Sequence, residues 1–131
     1  MKARILPAPP GTGIVFVRTD LEGFRIPASW KHVQKVSYAT SLMKQGVLIS
    51  TTEHLLSTFY SMGIDNAFIE IDNLEVPILD GSGEPFAKLI EQAEDLVYRD
   101  LPMAPLFYPL AFSVGHGWVG NFRPNIQIIN H

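Results

Sequence analysis

The stretch "LLSTFYSMGIDNAFIEID", residues 55–72, constrains the fold more tightly than any other part of the chain. Leu55, Leu56, Phe59 and Met62 form an apolar stripe at helical spacing, and Gly63 supplies the left-handed stop that ends a helix. Ala67, Ile69 and Ile71 then alternate with Phe68, Glu70 and Asp72, the period-2 pattern of a strand with one dry and one wet side. A helix that turns straight into a one-sided strand calls for a sheet with a covered face. A second helix is predicted from about Pro85, with Phe86, Leu89, Ile90, Ala93 and Val97 along one side.

Strands are also expected at Ala3 to Leu6 and at Ile14 to Asp20, joined by the "PAPPGTG" turn. "LEGFRIPASWKH" reads as a loop broken at Pro27, and Val33 to Leu42 as one half-buried strand. Lys44-Gln45-Gly46 makes a turn into "VLIS". Ser50 and Glu53 have the three-residue separation of a capping box, in which each side chain satisfies a free N–H of the other residue. "DGSGEP", residues 80–85, lacks the GK[ST] ending of a phosphate loop and is read as a turn that caps the second helix.

With 131 residues the chain is long enough for one domain with a real core. A net charge of −3 argues against nucleic acid as a partner. Absence of cysteine removes disulfides and thiolate metal sites and agrees with a reducing compartment. The apolar run 101–114 is too short to span a bilayer and is interrupted by prolines. Prolines at 7, 9 and 10 interrupt the N-terminal segment before an export signal or anchor could form. From 101 to 131 Arg123 is the sole formally charged side chain, although Phe107, Tyr108, Phe112, Trp118 and Phe122 lie there. Such a segment is read three ways: packed on the domain, docked on a partner, or poorly folding.

Chemistry centres on Glu53 and His54. A glutamate at a helix mouth is often a cap, and a lone histidine is more often structural than a ligand. Yet neighbouring helical residues point about 100° apart. One can therefore reach a metal while the other reaches a water on it, as a metal hydrolase requires. His32, His116 and His131 are scattered and read as loop or surface residues. No Ser-His-Asp or Cys-His arrangement is legible.

"PAPPGTGIVFVRTD", "YATSL", "ISTTEHLLSTFYSMGIDNAFIEID" and "EVPILDGSGEPFAKLIEQA" together resemble the first part of the zinc-dependent UDP-3-O-acyl-N-acetylglucosamine deacetylases of lipid A synthesis. The likeness runs in order from about Ala3 to Ala93. It implies an α+β fold, a two-layer sandwich of sheet and helices equivalent to the first of the family's two similar domains. Residues 1–94 would form that domain without its opening strand, and 95–131 a divergent tail. The resemblance makes Glu53 the general base and His54 a Zn2+ ligand, and puts Tyr38, Ala39 and Thr40 along the substrate cleft. It assigns Asp65, Asn66 and Asp80 to turns and caps.

The family's other zinc ligands and its general-acid histidine belong to a second domain with an HKxxDxxGD-like motif, so the ligand set here is incomplete. The substrate implied is UDP-3-O-acyl-N-acetylglucosamine and the location cytoplasmic, with little activity expected from the chain alone. Two other readings stand beside it: a non-catalytic domain that binds a partner, and a gene fragment. In the first of these, a lone half-site face is expected to self-associate.

Overall fold

The computed structural model describes residues 2–34, 37–100 and 126–129. The side chain of Val97, His116, His131 and the aromatic-rich segment 101–125 lie outside the described residues. Two sheets and two helices share one hydrophobic core, the α+β architecture expected. The larger sheet contains β1 (Lys2–Pro7), β2 (Ile14–Arg18), β3 (Phe24–Pro27), β7 (Ala67–Ile71) and β8 (Ile126–Ile129), in the order β3-β2-β7-β1-β8. The smaller sheet contains β4 (Val33–Gln34), β5 (Ser41–Lys44) and β6 (Val47–Ile49).

Register explains how the larger sheet is filled. Ile26 lies opposite Phe16, Phe16 opposite Ile69, and Ile69 opposite Ile5. Residues directly opposite one another share a face, so these four form a continuous row. All four are buried. The next row carries Arg25, Val17, Glu70 and Arg4 on the other face. There Arg4 Nε donates to Glu70 Oε2 at 2.8 Å, and the Arg25 guanidinium lies 5.1 Å from the centre of the Phe68 ring.

Helix α1 (Glu53–Met62) buries Leu55, Thr58 and Phe59. It ends at Gly63, whose φ of 70° is the left-handed conformation glycine adopts most readily. Helix α2 (Glu84–Asp100) contributes Phe86, Ile90 and Ala93 to the same core. The helices meet closely at Gly83: a β-carbon there would lie 2.5 Å from Thr58 Oγ1. Asp80 caps the turn before α2 by accepting from both the N–H and the hydroxyl of Ser82. Those bonds hold its carboxyl below the usual aspartate range.

Three local expectations need correction. The segment read as a loop contains β3, with Pro27 at its end opposite Val15. An edge strand tolerates proline because its outer N–H needs no partner. Val33 to Leu42 is not one strand: β4 and β5 pair antiparallel, Val33 opposite Leu42, with the chain reversing between them. Of the paired apolar residues only Leu42 is buried, and Val33 on the edge strand is exposed.

The capping box does not form either. Thr52 occupies the cap, and Glu53 is the first helical residue. Ser50 is held elsewhere, in a parallel bridge with Glu75 and within reach of the Ser41 hydroxyl. The expected turn into "VLIS" is present, with Gln45 and Gly46 at φ 50° and 80°, as in a two-residue type I′ hairpin.

Candidate functional site

The approach to α1 is built by hydroxyls and one carboxylate. Thr51 sits at φ 60°, a left-handed conformation that is uncommon for a β-branched residue and costs about 1–3 kcal/mol. Its buried hydroxyl donates to Glu75 Oε1 at 2.8 Å. The backbone on both sides is fixed as well: Ser50 N donates to Leu74 O, and Val76 N to Ser50 O. The kink at Thr51 is therefore clamped between α1 and the segment 74–76.

Thr52 and Glu53 hold the segment that precedes β5. The Thr52 N–H and its hydroxyl both donate to the Thr40 carbonyl, each at 3.1 Å. In return, the Thr40 N–H donates to Glu53 Oε2 at 2.9 Å. Both backbone polar groups of Thr40 are thus satisfied by two consecutive residues at the helix start. This brings the predicted cleft residues beside the predicted catalytic pair. Tyr38 is fully exposed, while Ala39 and Thr40 are half-buried.

Glu53 and His54 are half-buried on the first turn of α1. One Glu53 oxygen is engaged by Thr40, and the other has no hydrogen-bond partner among the described residues. The His54 carbonyl accepts from the Ser57 and Thr58 hydroxyls, and its ring has no hydrogen bond among the described residues. A carboxylate with one anchored and one open oxygen, next to an uncommitted imidazole, can accept a proton and offer a metal donor. It is not a complete metal centre. No group of three His, Cys, Asp or Glu able to hold a metal occurs among the described residues.

The other sequence candidates fall away from this corner. His32 Nδ1 lies 3.1 Å from the Pro27 carbonyl, a loop-bracing position. Asn66 Oδ1 accepts from the Gly13 N–H and ties down the proline-rich turn. Asp65 is exposed at the end of the α1–β7 link.

Arg18, which is not singled out by sequence pattern, ties the larger sheet to β6, the strand that leads toward α1. It is buried on the core-facing side of β2, donates to both Asp20 oxygens at 2.8 and 2.6 Å, and donates through Nη1 to the Leu48 carbonyl at 2.9 Å. The hydrogen-bonded pairing holds the Asp20 carboxyl below its ordinary range and raises the Arg18 guanidinium above its own. Asp20, two residues on, was the only local hint. The Leu48 contact spans the two sheets and has no sequence signal.

The family described as UDP-3-O-acyl N-acetylglycosamine deacetylase (LpxC) matches residues 1–103. A UDP-3-O-acyl-N-acetylglucosamine deacetylase of Solibacter usitatus is 78% identical over 99 residues, which cover 76% of this chain and 34% of that protein. Those of Myxococcus xanthus and Chromohalobacter salexigens are 54% and 50% identical over 88 residues, covering 66% of this chain and 28% and 29% of theirs. The chain thus spans about a third of the length of the curated relatives it matches. With the helix mouth, its glutamate–histidine pair and the strand that follows all inside the matched region, the chain belongs to the UDP-3-O-acyl N-acetylglycosamine deacetylase family.

Proposed function

We propose that this chain supplies the Glu53–His54 half of a zinc-dependent deacetylase site that removes the N-acetyl group of UDP-3-O-acyl-N-acetylglucosamine during lipid A synthesis in the cytoplasm. The observation that carries the reading is the state of Glu53: one oxygen is fixed by the Thr40 N–H, the other has no hydrogen-bond partner among the described residues, and His54 follows it on the first turn of α1. A general base needs that combination of a set orientation and a free lone pair.

Zinc in such a site activates water and polarises the acetyl carbonyl. Catalytic zinc takes three protein donors, and no group of three His, Cys, Asp or Glu able to hold it occurs among the described residues. By themselves they do not fit the metal. The missing donors are assigned to the part of the relatives that this chain does not span. Within the chain, Glu53 Oε1 takes the proton from the attacking water, His54 offers an imidazole nitrogen, and Tyr38, Ala39 and Thr40 line the acyl-sugar side. The Thr40 bonds keep that lining in fixed relation to the base.

Two measurements test the reading. The chain alone should retain little zinc after metal-free purification and should not deacetylate the UDP-sugar. A chimera of residues 1–94 with the remaining part of the Solibacter usitatus relative should turn over, and Glu53→Gln in it should lose at least about a hundredfold in rate. A folded chimera whose Glu53→Gln form works unchanged would overturn the assignment of the base. Stoichiometric zinc with turnover in the chain alone would overturn the half-site.

A further inference from the structure

Among the described residues, four other than glycine have positive φ: Glu22, Gln45, Thr51 and Leu79. Glu22 and Gln45 lie in exposed turns, and Leu79 is half-buried. Thr51 alone of the four is both β-branched and buried. Its side chain makes the left-handed backbone costly, whereas glycine would adopt the same angle freely. Strain of this kind persists only where the surroundings over-determine it.

At Thr51 the surroundings form a row of hydroxyls that ends on a carboxylate. The Ser41 hydroxyl donates to Ser50 Oγ at 3.3 Å, Ser50 Oγ lies 3.4 Å from Thr51 Oγ1, and Thr51 Oγ1 donates to Glu75 Oε1. A carboxylate only accepts, so Glu75 orients the row from one end. Its own backbone is held in the bridge to Ser50, so the side chain reaches Thr51 from a fixed base.

Thr52, the next residue, already has helical backbone angles, φ −83° and ψ −15°. Thr51 is thus the last joint at which the direction of α1 relative to β6 is set. Beyond that joint, Thr52 holds the Thr40 carbonyl and Glu53 holds the Thr40 N–H. Rotation about the Thr51 backbone would swing both of them away from Thr40 together.

We infer that Thr51 and Glu75 are positioning residues for the base: their hydroxyl–carboxylate bond locks the left-handed joint and so holds Glu53 against the Thr40 amide. The role rests on the half-site reading given above, and neither residue touches the substrate in it. A joint needed only to lead β6 into α1 would require no hydroxyl, because glycine supplies that angle unstrained. What the hydroxyl and the carboxylate add is resistance to rotation.

The full chain supplies the first readout, amide exchange at Thr40 measured beside the denaturant midpoint. Thr51→Gly accepts the backbone angle and lacks the hydroxyl, so exchange at Thr40 should quicken about tenfold while the midpoint changes little. Thr51→Ser keeps the hydroxyl and should leave that amide slow. Glu75→Gln keeps an acceptor oxygen and should do the same, whereas Glu75→Ala should behave like Thr51→Gly.

The chimera with the Solibacter usitatus relative supplies the second readout. There Thr51→Gly should lower kcat about tenfold and leave KM unchanged, because it misplaces the base without removing a contact to substrate. Three results would each overturn the inference: a Thr40 amide as slow in Thr51→Gly as in the parent, an unchanged kcat for Thr51→Gly in a chimera that Glu53→Gln inactivates, or a midpoint that falls alike in Thr51→Gly and Thr51→Ser. The half-site reading fails separately, through turnover retained by Glu53→Gln, and exchange at Thr40 then decides the positioning role alone.

Discussion

Across the five-stranded sheet the row from Ile26 through Phe16 and Ile69 to Ile5 is dry from one strand to the next. The three-stranded sheet has only Leu42 and Ile49 buried in the same core, while Val33, on its edge strand, is half in water. Polar links hold it instead: Arg18 to Leu48, Thr52 to Thr40, and Thr40 to Glu53. Apolar burial is non-directional and accumulates with area. A few hydrogen bonds set position but add little net stability each. The larger sheet accordingly carries the fold, and the smaller one is a positioned attachment that can be loosened by itself.

That contrast can be broken at several strengths. Phe16→Ala removes a ring from the centre of the dry row and should cost about 3–5 kcal/mol, seen as a lower denaturant midpoint for the whole molecule. If only the small sheet were to respond, the division of labour would be wrong. Arg18→Ala should cost about 2 kcal/mol by deleting charged hydrogen bonds at the junction. Amide exchange should rise first at β5 and β6, with β7 still protected.

Glu53→Ala should cost about 1 kcal/mol and speed exchange at the Thr40 amide, whereas Glu53→Gln, which keeps an acceptor oxygen, should leave that amide slow. Smallest of all is an acid effect at Asp20. Its folded-state pKa lies below its unfolded value, so its contribution is complete above the ordinary aspartate value of about 3.9 and is lost as pH falls through the lowered folded value. Asp20→Asn should flatten the acid limb of a melting-temperature profile against pH.

The same contrast governs what could be read from the sequence. Helix α1, its Gly63 stop and β7 were legible because their patterning is local and each buries one regular face. The Gln45-Gly46 hairpin was legible through turn chemistry. Strand β3 was missed because Pro27 reads as a break unless the strand is known to lie at an edge. The capping box was misassigned because Ser50, at the right spacing, pairs with Glu75 across the fold. In the site, Glu53 and His54 could be picked out from sequence and resemblance. The bonds from Thr40, the strained Thr51 and the Arg18 link join residues 12 to 30 positions apart, and no periodicity announces them.

A glutamate on a helix surface ordinarily samples several rotamers, and freezing such a side chain costs up to about 2 kcal/mol. Here the Thr40 amide restricts Glu53 as the chain folds. The entropy of fixing that carboxylate is lost with folding, and any displacement of the backbone at residue 40 would re-aim it.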